Sequence, residues 1–270
     1  MRWSELKPKI SKPVLAPILV TLAAMAVIIV WLSLTPRGLD GKLLALADSV
    51  CHGNPDHRLQ IGGKLLPLCA RCTGMFLGCA LGVIGFGRIT KNSGYPSPIF
   101  RVVIGLLVLF FAVDGVNSGI DTLFDHALYT PTNELRLITG LSMGLALGAI
   151  IVPLWRQIML GDIPAGPGLR RWNEFLPIFL AEAAMVPLIL YAPEWMYLPV
   201  AVISTLTIPI LVTIVYTLLW ILILKKEVVI RNRSQKITYI ALGCLTAFIQ
   251  IGLFDLLRVV LLGTWTGIQF

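Results

Sequence analysis

The sequence predicts an all-α protein, a polytopic bundle of about seven transmembrane helices. Three observations carry this. Of 270 residues, 57% are hydrophobic and 13% charged, with a mean hydropathy of +0.85; soluble domains run at about 45–50% and about 25%. The apolar residues gather into seven runs of near-spanning length, about 20 residues each. Basic residues then alternate between the loops on either side of those runs.

The runs cover residues 13–34, 66–87, 99–113, 135–155, 176–191, 198–224 and 237–263. The first is a retained helix rather than a signal peptide. Its apolar stretch exceeds the roughly 7–15 residues of a signal core, and no small-x-small cleavage site follows it. The third and fifth are short and are expected to extend into their flanks. The second and fourth contain an echo at an offset of 66 residues: TGMFLGCALG from Thr73 and TGLSMGLALG from Thr139. Small residues four apart let helix backbones approach closely. The shared Thr, Ala and Leu favour a parallel two-helix duplication within the first four spans. The expected packing is through Gly78 and Gly144.

Lys and Arg in short loops set orientation. Fifteen of the 22 basic residues fall in the N-terminal tail and in the loops after spans two, four and six. Among them are Arg2, Lys7, Lys9, Lys12, Lys225, Lys226 and Arg231. This places the N-terminus in the cytoplasm and the C-terminus outside, in a multi-pass protein of the cell membrane. The net charge of +8 is spread over these short loops. Nucleic acid is therefore not an expected partner, and the lipid bilayer is. Residues 1–270 read as one integral membrane domain. Residues 45–155 carry the polar chemistry, and 156–270 add three further helices.

Five Cys and three His are present. Cys51, His52, His57, Cys69 and Cys72 fall in the first outer loop and its junction with span two, and His126 falls in the second outer loop. A C-x2-C pair can share one metal ion, and an upstream Cys and His can complete a tetrahedral set. His52 or His126 could replace one ligand or support one. Zinc or another transition metal is the first expectation. A structural disulfide, a redox-active dithiol and plain packing are the alternatives. Arg71, between the two Cys, could stabilise a thiolate. Cys79 and Cys244 lie within spans and fit packing.

The segment 114–140 is unusually polar, with Asp114, Asn117, Asn133, Glu134, Arg136 and the acidic Asp121 and Asp125. Asp114 and Arg136 stand at facing helix ends and are expected to pair, bordering a polar site below the outer surface. Ionisable residues inside a span cost about 2.5–3.5 kcal/mol on insertion scales, so each needs a partner or a task. Asp255 and Arg258, three apart on one helix, are expected to form a structural pair. Glu182 in span five has no partner in its own helix and is a candidate proton carrier or ligand.

No phosphate loop, dinucleotide fingerprint, H-E-x-x-H helix or G-x-S-x-G elbow occurs. The reaction classes that remain are metal-assisted chemistry on a lipid or solute, thiol–disulfide exchange, and transport through the crevice between the repeats using Glu182.

The strings CHGNPDHRLQIGGKLLPLCARCTG, DGVNS and TNELRLITG resemble a family of predicted prokaryotic membrane proteins described as a domain of unknown function. That family shows a CH…P-x-R loop, an LCARCTG helix start and a later N-x-LR-x-x-TG. Here the Pro55 to Arg58 stretch has one more residue than the P-x-R pattern. The resemblance covers roughly residues 45–155. It implies a family core there and, as family residues, Cys51, His52, Cys69, Arg71, Cys72, Asp114, Asn133 and Arg136. It brings no activity with it.

Overall fold

The computed structural model describes residues 12–92, 94–124, 126–159, 166–224, 230 and 232–263. Seven of its helices are long and apolar enough to cross a membrane. They are α1 (Lys12–Leu34), α3 (Ala70–Ile89), α4 (Pro98–Phe124), α5 (Asn133–Met159), α6 (Trp172–Leu190), α7 (Tyr197–Leu224) and α8 (Arg233–Leu262). Arg2, Lys7, Lys9, Asp125, Lys225, Lys226 and Arg231, which figured in the charge arguments, lie outside the described residues.

The short third and fifth runs do extend. α4 continues to Phe124 and α6 begins at Trp172. Their added turns are polar but buried or capped. Asn117 and Ser118 are buried in α4, and the Glu174 carboxylate accepts from the Arg170 and Arg171 backbone N–H groups at the start of α6. Span two starts later than its apolar run, because Leu66 and Leu68 belong to a strand.

That strand is part of a small outer structure between α1 and α3. A short helix, α2 (Leu39–Asp48), buries Leu43, Leu46 and Asp48. An antiparallel hairpin follows, β1 (Arg58–Ile61) and β2 (Lys64–Cys69). Its two-residue turn is Gly62-Gly63, with φ of 57° and 80°. Positive φ at both positions is what a tight hairpin turn requires, and glycine takes it at no steric cost. A side chain on Gly62 would also collide with Glu194, so the hairpin tip docks on the α6–α7 connection. Lys64 lies over the Tyr197 ring at 5.7 Å.

The centre of the bundle is the α3–α5 pair. The two helices run parallel and in register, each glycine of one facing its counterpart 66 residues along. A Cβ on Gly144 would lie 2.5 Å from both the Cys79 amide nitrogen and the Met75 carbonyl. A Cβ on Gly148 would lie 2.7 Å from the Gly82 carbonyl carbon, and one on Gly140 would strike the Arg71 carbonyl. Backbones this close exchange dispersion contacts over their whole length. The flanking helices differ: α4 rests on α5, whereas α1 rests on α8, which in turn packs on α7. Basic side chains close helix C-termini, Lys42 on Thr35 O and Leu32 O at the end of α1, Arg156 on Gly87 O and Thr90 O at the end of α3.

Candidate metal centre

Three short-range constraints bring the cysteines together. α2 ends in a turn in which the Cys51 N–H donates to Ala47 O at 2.9 Å, which buries Cys51. The hairpin then reverses the chain, and β2 returns Cys69 to the level of Cys51. Cys69 is the N-cap of α3, its sulfur accepting from the Cys72 N–H at 3.4 Å. The Cys69 N–H in turn donates to the Cys51 sulfur at 3.5 Å. The three Sγ atoms lie within 4.8 Å of one another, a group that could hold a metal ion. All three are free thiols.

The site is dry. Cys51 and Cys69 are each 4% exposed, and Cys72 is half-buried. S–H···S hydrogen bonds from Cys69 and Cys72 hold the Cys51 thiol well below its ordinary value, against the opposing effect of burial. The same bond to Cys51 is the main cause that pushes Cys69 up to about 11. Three sulfurs around one zinc sit ~3.8 Å apart, given a Zn–S distance of about 2.3 Å and tetrahedral angles.

Neither His52 nor His57 brings a ring nitrogen within 4.8 Å of all three sulfurs. This corrects the expectation that His57 completes the group. His52 is exposed, hydrogen-bonds the Cys51 sulfur, and its Nε2 lies 3.0 Å from His57 Nδ1. His57 ends the 3-10 turn Pro55–His57, which is capped by Asn54 Oδ1 accepting from the Asp56 N–H at 3.0 Å. Burial, then the charges of Arg136 and Arg71 and the neighbouring His52 ring, bring His57 down to about 4. His126 is exposed in the α4–α5 connection, outside the group.

The polar segment is arranged differently from expectation. Asp114 is fully buried, and its cationic partner is Arg71, not Arg136. Arg71 Nη2 and Nε reach Asp114 Oδ2 at 2.6 and 3.0 Å, and Nη2 also donates to Ser118 Oγ at 2.8 Å. Tyr129 and Thr139 hydroxyls donate to the same carboxylate at 3.1 and 3.0 Å. Arg71 is thus committed to α4 and does not face the thiols. Arg136 donates to Asn133 Oδ1 at 2.9 Å, and its buried Nε has no hydrogen-bond partner among the described residues. Asn133 donates to Asp56 O at 2.9 Å, which ties the start of α5 to the Cys loop. Asn117 closes the α4–α5 connection, donating to Tyr129 O at 2.9 Å and accepting from Leu128 N at 2.8 Å.

The Asp255–Arg258 pair is likewise replaced. Asp255 Oδ2 accepts from Trp31 Nε1 at 2.8 Å, and Arg258 pairs with Asp48 at 2.8 Å while donating to Cys51 O at 2.9 Å. Asp48 also faces Arg58 at 3.6 Å. Even so, burial outweighs both cations and raises the Asp48 carboxyl above its usual range. Sequence reasoning missed Asp48, whose only signal was an acidic residue three before Cys51. Glu182 stands apart from all of these, buried in α6 at 3% exposure with Oε1 unpartnered.

Comparison with known proteins bears on this half of the chain. A family model described as predicted membrane protein (DUF2085) matches residues 51–150. That stretch holds the three cysteines, Arg71, Asp114, Asn133 and Arg136. An uncharacterized protein of Methanocaldococcus jannaschii is 30% identical over 118 residues, covering 43% of this chain and 70% of the relative. An uncharacterized protein of Methanothermobacter thermautotrophicus is 26% identical over 111 residues, covering 41% of this chain and 91% of the relative. No solved structure matches. With the matched stretch running from Cys51 through the α3–α5 pair, the chain belongs to the DUF2085 family of predicted membrane proteins.

Proposed function

We propose that this is a metal–thiolate membrane protein. Cys51, Cys69 and Cys72 bind one transition-metal ion at the extracytoplasmic end of the bundle, the N-terminus being cytoplasmic. The observation that carries this is the convergence of three sulfurs, two from buried residues and one from a half-buried one, two of which accept backbone N–H groups. Such bonds stabilise thiolates, and a dithiol redox pair needs only two sulfurs. Soft thiolate ligands suit zinc or monovalent copper. Three protein ligands leave a fourth position for water or a solute, the arrangement in which a bound metal acts as a Lewis acid. Arg136 and Arg258, close by, offset the negative charge that three thiolates add.

The same proximity supports a second reading, thiol–disulfide exchange. Elemental analysis with thiol labelling separates the two. A metal centre gives about one ion per chain, with thiols that alkylate only after chelation. Metal-free protein whose thiols respond only to reductant would replace the first reading with the second.

A further inference from the structure

Away from the thiols, α5 and α6 diverge around a groove of about 350 Å3. Its walls are Ile138, Leu141 and Leu145 from α5 and Phe179 and Val186 from α6. Ile138 and Phe179 are 38% and 40% exposed, so the groove opens sideways, where the acyl chains of the bilayer lie. Glu182 forms its floor. The carboxyl sits over Gly78 of α3, whose missing side chain makes the room: a Cβ there would lie 3.1 Å from Oε1. No cation among the described residues pairs with Glu182, and Oε1 accepts no hydrogen bond. A second acceptor stands beside it, since Pro187 has no N–H to give to the Ala183 carbonyl one turn back. Both residues line the groove.

A buried, unpartnered carboxyl in an apolar groove is costly unless something completes it. The walls indicate what does. Helix–helix contacts in membranes use small residues, and this chain's Gly stripes are consumed in the α3–α5 pair. The groove presents large aliphatic and aromatic side chains instead, and its volume is that of a small-ligand site. Gly78 lies six residues along α3 from Cys72, about 9 Å deeper at 1.5 Å per residue. A phospholipid head cannot leave the interface to reach that depth. A small uncharged ring on an apolar tail can.

We infer that the α5–α6 groove is a binding site for a prenyl quinone or quinol, with the ring's oxygen hydrogen-bonded to Glu182 and its tail leaving between Ile138 and Phe179. A carboxyl suits both forms, since it donates to a quinone carbonyl when protonated and accepts from a quinol hydroxyl when ionised.

The test is a titration of decylubiquinone into the full-length protein in quinone-free phosphatidylcholine nanodiscs, counting bound ligand after capture. One saturable equivalent is expected. Glu182→Leu removes the hydrogen bond and should weaken binding about tenfold, whereas Glu182→Gln, which can still donate and accept, should stay within about threefold. Ala183→Phe, at an exposed position where folding is not at stake, fills the groove and should abolish binding. The inference is overturned by absence of saturable binding, by equal binding in Ala183→Phe, by equal competition from farnesol, which has the tail without the ring, or by Ala183→Cys cross-linking two copies through this face.

Discussion

Arg71 Nη2 lies 2.6 Å from Asp114 Oδ2, so one of the two residues between the cysteines of the C-x2-C motif is bonded to a different helix. The bond joins the start of α3 to the middle of α4, with Thr139 of α5 donating to the same carboxylate. One fully buried Asp therefore ties together three helices. Removing either member of a buried pair costs about 3–5 kcal/mol, whereas removing both costs much less. Arg71→Met and Asp114→Leu should each lower thermal stability in detergent strongly, and the double variant should recover much of the loss. The same cycle on Asp114 and Arg136 should show little coupling. Equal coupling in the two cycles would mean that the carboxylate is shared.

The α3–α5 contact gives a second expectation. Gly144→Leu and Gly140→Leu force large side chains against backbone atoms of α3, and folded yield should collapse. Gly87→Leu, on the same helix as Gly78 but with nothing within 4 Å of its Cβ position, should be tolerated. If all three variants fold alike, the helices do not pack as described.

The two pairs show what was legible in the sequence. The glycine echo was readable because period and offset survive translation into space: identical spacing on two parallel helices brings identical faces together. The spans were readable because each must be long and apolar in itself. Charge partners were not. Asp114, Asp255 and Asp48 face a choice of arginines on other helices, and sequence offers only nearness along the chain. Nearness suggested Asp255 with Arg258, yet α8 packs its Asp on Trp31 of α1 and its Arg on the end of α2. The hairpin was hidden for another reason. Its Leu65, Leu66 and Leu68 run straight into the apolar α3, so only Gly62-Gly63 marked the strand. The cysteine cluster was half legible: the spacing brought out the three sulfurs, but whether a histidine joins them depends on the local backbone of the 3-10 turn at Pro55–His57, which spacing does not specify.

Arg258 offers a third expectation. It donates to Cys51 O and pairs with Asp48, which ends the helix leading to Cys51. Arg258→Met keeps the length and apolar stem but frees this loop and leaves Asp48 without its closest cation. Metal affinity should fall while the α3–α5 pair stays folded. Arg258→Lys, which keeps one donor and the charge, should recover part of the loss. Unchanged affinity in Arg258→Met would show that the Cys51 loop is held in place without it.

The pH dependence of metal binding tests the sulfur site most directly. In the metal-free protein Cys69 keeps its proton up to about pH 11, because its S–H is donated to the Cys51 sulfur. A metal binds the thiolate, so binding must displace that proton at every pH below this value. Each displaced proton makes the apparent affinity rise about tenfold per pH unit. Between pH 6 and pH 8 the affinity should therefore tighten by at least about a hundredfold. His57, brought down to about 4, is neutral throughout this window and adds no proton of its own. Competition titrations with a chromophoric chelator at pH 6, 7 and 8 would give the slope. Cys69→Ser should weaken binding and make the pH slope shallower by about one proton, the Cys72 thiol still giving up its own. A wild-type affinity that does not change with pH would mean that Cys69 is not a ligand, and the three-sulfur centre would fall with it.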